Sequence, residues 1–137
     1  MKSVYSLSCL VLAALLIGCA TSTVQTDLDL TSPWEVAILD GTEDLQPDLE
    51  DKYVIERILK NGLSRMRSTI STYPTPLYRI RVVEGIAAED PIDRIIFVGS
   101  NWIGDGRGIA TLADTQAFRL RNTIDKTIAN KAEHSTE

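Results

Sequence analysis

The chain has 137 residues, 14 of them basic and 19 acidic, for a net charge of −5 at neutral pH. That length admits one small domain, and the acidic balance, with no interleaving of aromatic and basic residues, excludes a nucleic-acid surface. The single histidine, His134, lies near the end and the two cysteines, Cys9 and Cys19, near the start, so the middle offers neither a Ser-His-Asp arrangement nor a Cys/His metal site. No metal or other cofactor is expected.

Lys2 precedes an almost wholly apolar run from Leu7 to Ile17. At about 11 residues it matches the apolar core of a signal peptide and falls short of the roughly 20 residues of a membrane-spanning helix. Leu16-Ile17-Gly18-Cys19 closes the run. This stretch resembles the lipobox of bacterial lipoproteins. The resemblance implies a diacylglycerol on the Cys19 sulfur, cleavage between Gly18 and Cys19, and acylation of the new amino terminus. It also implies the outer membrane, facing the periplasm, because Ala20 stands where an Asp would mark inner-membrane retention. The alternatives are an ordinary secretory peptide or an uncleaved anchor. Under the lipobox reading Cys9 leaves with the leader, so one mature chain holds no disulfide and its stability comes from its core.

The expected organisation is a signal peptide over 1–18, the lipidated Cys19 with a flexible tether to 32, one domain over 33–132, and a disordered tail over 133–137. The tether is polar and free of aromatics. As a coil of about 12 residues it would reach roughly 20 Å. Asp27, Asp29, Glu35, Asp40, Glu43, Asp44, Asp48, Glu50 and Asp51 form an acidic block, and Lys52, Arg57, Lys60, Arg65, Arg67, Arg79 and Arg81, interrupted by Glu56, a basic one. The two blocks either neutralise each other within the fold or leave a basic surface for anionic headgroups or an acidic partner.

Trp34 to Leu39 reads as a strand whose near-continuous apolar character suggests a central position. Asp40-Gly41 signals a turn, and 42–50 an acidic loop. A helix is predicted from about Asp51 to Thr69, with Ile55, Ile58, Leu59, Gly62, Leu63, Met66 and Ile70 at helical spacing. Tyr73-Pro74-Thr75-Pro76 breaks it. Leu77 to Val83 alternates, with Tyr78, Ile80 and Val82 on one face and Arg79 and Arg81 on the other. Arg94 to Gly99 reads as a buried strand, and Ile109 to Ala113 as a short fourth one. Asp114 then caps a helix to about Lys131, with Ala117, Leu120, Ile124 and Ile128 inward. The alternative extends the fourth strand through Phe118 and starts the helix near Asn122. The order β-α-β-β-(β)-α predicts an α+β two-layer sandwich, its sheet mainly antiparallel or mixed, with helices on one face.

Four features bear on chemistry. Gly104-Asp105-Gly106-Arg107-Gly108 either exposes backbone N–H groups to an anion clamped by Arg107, or forms a hairpin with Asp105-Gly106 at its tip. Trp102 beside it either anchors a partner or covers the edge of the core. Arg79 and Arg81 mark a candidate basic docking face. Glu84, Glu89, Asp90 and Asp93 cluster in sequence and are the carboxylates from which a hydrolase site would be built. The expected function is a non-catalytic periplasmic interaction or assembly module, tethered to the membrane through Cys19 and docking another envelope protein. The alternatives are a lipoprotein binding small anionic ligands or glycans, and an envelope hydrolase. Trp34 to Leu39, the acidic loop and the helix after it are loosely similar to the opening of several periplasmic assembly lipoproteins.

Overall fold

The computed structural model describes residues 23–68, 74–85 and 88–135. Its elements run β1 (Trp34–Asp40), β2 (Glu43–Leu45), helix α1 (Leu49–Leu63), β3 (Arg67–Ser68), β4 (Tyr78–Glu84), β5 (Ile92–Val98), β6 (Trp102–Gly104), β7 (Gly108–Thr111) and helix α2 (Asp114–Ser135). The strands form one sheet in the order β2-β1-β4-β5-β6-β7-β3. Every pairing is antiparallel, so the fold is α+β with an open antiparallel sheet and the mixed alternative does not arise.

Alternation of side chains along each strand decides what is buried. Trp34, Val36 and Ile38 on β1 point to the core, as do Ile80 and Val82 on β4 and Ile96 and Val98 on β5. Register aligns Ile38, Ile80 and Ile96 across the adjacent strands β1, β4 and β5, and all three are 0% exposed. Each such side chain contributes about 1.5–3 kcal/mol of burial energy. Ile55, Leu59 and Leu63 of α1 and Ala117, Leu120 and Ile124 of α2 complete the same cluster.

The helices begin and end for local reasons. Asp48 caps α1 by accepting the Asp51 N–H at 3.0 Å, with Glu50 and Asp51 complementing the positive end of the helix. The predicted continuation to Thr69 does not occur: α1 ends at Leu63. The Ser64 hydroxyl and the Arg65 Nε both donate to the Asn61 carbonyl, satisfying an orphan acceptor of the last turn. Met66 is nevertheless fully buried, and β3 pairs with β7. Ile70 lies outside the described residues. Helix α2 starts at Asp114 as predicted and excludes the alternative, since Phe118 sits within it and is 60% exposed. It continues to Ser135, past the point where the tail was expected to fray.

Two strand expectations need revising. β1 lies second from an edge, covered by the short β2, which arises within the expected acidic loop after the Gly41 turn (φ +64°). β5 is not buried on both sides: Ile95 is 40% exposed and Phe97 half-buried, because their parity turns them away from the helices.

The larger correction concerns the tether. From residue 23 onward it is part of the domain. Thr23 bridges Arg67, and the Val24 N–H donates to the Met66 carbonyl at 3.0 Å. Leu28 is 5% exposed, and Val24 and Leu30 pack against the core. Asp27 pairs with Arg94 and Arg107, and the Asp29 N–H donates to Glu84 at 2.7 Å. A generally polar composition hid three apolar side chains, enough to seat the segment on the inner face that the helices leave open.

Tyr78 joins β4 to α2 by donating its hydroxyl to Asp125 at 2.5 Å. Desolvation, reinforced by that carboxylate, pushes the phenol up to about 12. Because the folded value is raised, the stabilisation is whole below the ordinary tyrosine range near 10 and is lost as pH climbs towards 12. Urea midpoints should therefore decline across that window, and Tyr78→Phe should decline less steeply. Identical slopes would refute the assignment.

Candidate functional site

The glycine segment is the β6–β7 hairpin, turning through Asp105-Gly106-Arg107 with Gly106 at φ +94°. Two of its backbone donors are already occupied. The Asp105 carboxylate accepts the Arg107 N–H at 3.0 Å and the Gly108 N–H at 3.3 Å. The Arg107 guanidinium is shared between Asp105 and Asp27, each at 3.3 Å. The loop thus carries its own anion in the place a ligand would take, and Arg107 ties the N-terminal segment to the hairpin.

Trp102 does not protrude. It is 8% exposed, and its indole lies on Gly99 so closely that a Cβ at residue 99 would overlap it. Ile103 beside it points to the core, so Trp102 stands on the opposite face of the sheet, outside the core cluster and covering Gly99.

Arg79 and Arg81 both stand on the sheet face opposite the helices, and their situations differ. Arg81 is forked onto Asp93, through Nε at 3.0 Å and an amino nitrogen at 2.5 Å, and reaches Asp44 at 2.9 Å. The guanidinium holds the Asp93 carboxyl below the usual range. Arg79 is exposed and has no ion-pair partner among the described residues.

Register defines what surrounds them. One outward row runs Leu39, Arg79, Phe97, Gly104 and Ile109, a second Ala37, Arg81 and Ile95, and a third Glu35, Val83 and Asp93. No described element covers these rows. An antiparallel sheet with one solvated face ordinarily alternates apolar inward with polar outward. Here exposed Ile95 and half-buried Leu39, Val83 and Phe97 break that rule around a guanidinium with no ion-pair partner among the described residues. Sequence reasoning found the two arginines but missed Ile95 and Phe97. The available signal was strand parity: both are an odd number of residues from Ile96.

The four carboxylates Glu84, Glu89, Asp90 and Asp93 are not brought together at one site. Asp93 belongs to Arg81, and Glu89 and Asp90 are exposed between β4 and β5. Glu84 shares a shallow recess of about 430 Å³ with Asp29 and Glu35. A general acid there would need a raised pKa. The Thr31 hydroxyl and N–H instead hold Asp29 below its ordinary value.

A groove of about 380 Å³ between α1 and α2 was not anticipated. Arg57 and Asn61 line it from α1, and Thr115, Gln116 and Arg119 from α2, with no carboxylate among them. Among the described residues, no three His, Cys, Asp or Glu side chains are grouped to hold a metal ion, and no helix is long and apolar enough to cross a membrane. Gly18 and Cys19 lie outside the described residues. Comparisons with protein families, characterised proteins and solved structures return no match.

Proposed function

We propose that this protein is a lipid-anchored, non-catalytic docking module of the bacterial envelope. It is held through Cys19 on the periplasmic face of the outer membrane and binds another envelope protein with the open face of its sheet. The observation that carries the docking reading is the apolar surface around Arg79. Exposed apolar area of this kind is characteristic of interaction sites, and a lone arginine within it suits a partner carboxylate. The anchor reading rests on Leu16-Ile17-Gly18-Cys19.

A second reading, a binder of small anionic ligands, is favoured by the interhelical groove with Arg57 and Arg119, rather than by Arg107. The two readings use different faces of the molecule and separate in one experiment. A photo-crosslinking residue at Ile95 should give a discrete protein adduct in living cells, and Arg79→Glu should abolish it. The same probe at Tyr53, beside the groove, should give none. Ile95 is 40% exposed, so the substitution should shift stability by no more than about 0.5 kcal/mol. Adducts from residue 53 and none from 95 would overturn the sheet-face reading.

A further inference from the structure

We infer that the β3 edge is the surface through which this domain meets its membrane, and that Arg65 and Arg67 there engage anionic phospholipid headgroups, standing the sheet edge-on to the bilayer. The inference rests on the lipid-anchor reading of Cys19 and adds an orientation to it.

Chain length sets the first constraint. The Thr23–Arg67 bridge and the Val24-to-Met66 hydrogen bond hold Thr23 and Val24 at the β3 edge. Four residue steps separate Cys19 from Thr23, and at about 3.5 Å each they span at most about 14 Å. A headgroup layer is itself about 5–7 Å deep. The corner formed by the end of α1 and the β3 edge is therefore confined to the membrane surface.

Charge supplies the second. Thr23, Arg65, Arg67, Ile109 and Thr111 line a cleft of about 540 Å³ at that corner, and no carboxylate joins them. Arg67 has no ion-pair partner among the described residues. Among the described residues Arg65 spends only its Nε, on the Asn61 carbonyl, which leaves its amino nitrogens for a phosphate. The opposite edge is acidic, with Glu43 and Asp44 on β2 and Asp48 and Glu50 beyond it. Six strand spacings of about 4.8 Å put the two edges about 29 Å apart, some three screening lengths at physiological salt. With β3 down, the acidic edge is screened from the lipid charge; with the sheet inverted or lying flat it is not.

The test uses the full lipidated protein in vesicles. Mass spectrometry first establishes the acyl chains on Cys19. A fluorophore is then placed at Thr111→Cys or Gln46→Cys, and quenching by headgroup-attached spin labels is read. In vesicles containing phosphatidylglycerol, the probe at 111 should be quenched at least threefold more than the probe at 46. R65E/R67E should bring the two within a factor of two, as should phosphatidylcholine alone with the unaltered protein, which removes any question of misfolding. Equal quenching at both positions in phosphatidylglycerol would overturn the orientation while leaving the anchor intact, and a difference indifferent to both changes would overturn the engagement of headgroups by Arg65 and Arg67. A bare Cys19 would overturn both.

Discussion

Replacing Cys19 by Ser should leave the protein as an unprocessed, unacylated chain of 137 residues and remove it from the outer membrane. The size of the effect follows from the energetics of acyl chains. Each buried methylene contributes about 0.8 kcal/mol, and a single chain holds a protein only reversibly, whereas two or three on one residue do not let go on a cellular timescale. Among the described residues no helix is long and apolar enough to substitute for them. Two surface arginines contribute about 1 kcal/mol each at an anionic surface, and the net charge of −5 works against them. Intact mass and membrane fractionation are the readouts. A Cys19→Ser protein of the same mass and location as the parent would remove the anchor from the account.

The largest effect on stability is expected at Glu56, whose side chain is 9% exposed. It accepts the Trp34 N–H at 3.0 Å and the Lys60 ammonium at 2.8 Å. Lys60 in turn donates to the Ser32 carbonyl at 2.7 Å and lies 4.9 Å from the centre of the Trp34 ring. This cluster fastens α1 to the first residue of β1. Glu56→Ala strands a buried backbone donor and leaves a half-shielded ammonium without its counter-charge. Losing one partner of a fully buried pair costs about 3–5 kcal/mol. With Lys60 21% exposed, about 2–3 kcal/mol is expected, a large share of a small domain's stability. Glu56→Gln, which keeps an acceptor for Trp34, should cost about half as much. Urea denaturation of both variants checks this, and an Ala variant within 0.5 kcal/mol of the parent would refute it.

Much of the architecture was legible in the residues because apolar spacing reports burial directly. Leu120 and Ile124 were placed correctly on the inner stripe of a helix starting at Asp114, and Ile80 and Val82 opposite Arg79 and Arg81 on a strand. Met66 shows the limit of that signal. It falls at helical spacing and is buried, yet the backbone beneath it has already left the helix, because spacing identifies who is inside and not which hydrogen bonds hold them there. Leu28 shows another. One leucine among polar neighbours has no period to betray it, and its burial depends on an uncovered stretch of the inner face that only the assembled sheet creates. The candidate surface was half legible for the same reason. Arg79 and Arg81 announced themselves by charge. Ile95 and Phe97 sat inside an unbroken apolar run, where only the pairing register with β4 could tell inward from outward. The expected glycine-loop site depended on a carboxylate two residues away, since Asp105 and not an external anion meets the Arg107 N–H.

The ends of the sheet carry a further consequence. β2 has three residues, two of them acidic, and Lys131 clasps Glu43 across it. β3 has two residues and is bridged by Thr23. Neither margin offers a long bare row of amide groups to a neighbouring molecule. A protein tethered to a bilayer meets its own copies far more often than one dispersed in solution, so an open seven-stranded sheet there would invite copies to zip together into fibres. Under the lipid-anchor proposal, blunting both margins would keep molecules crowded on one leaflet from pairing edge to edge.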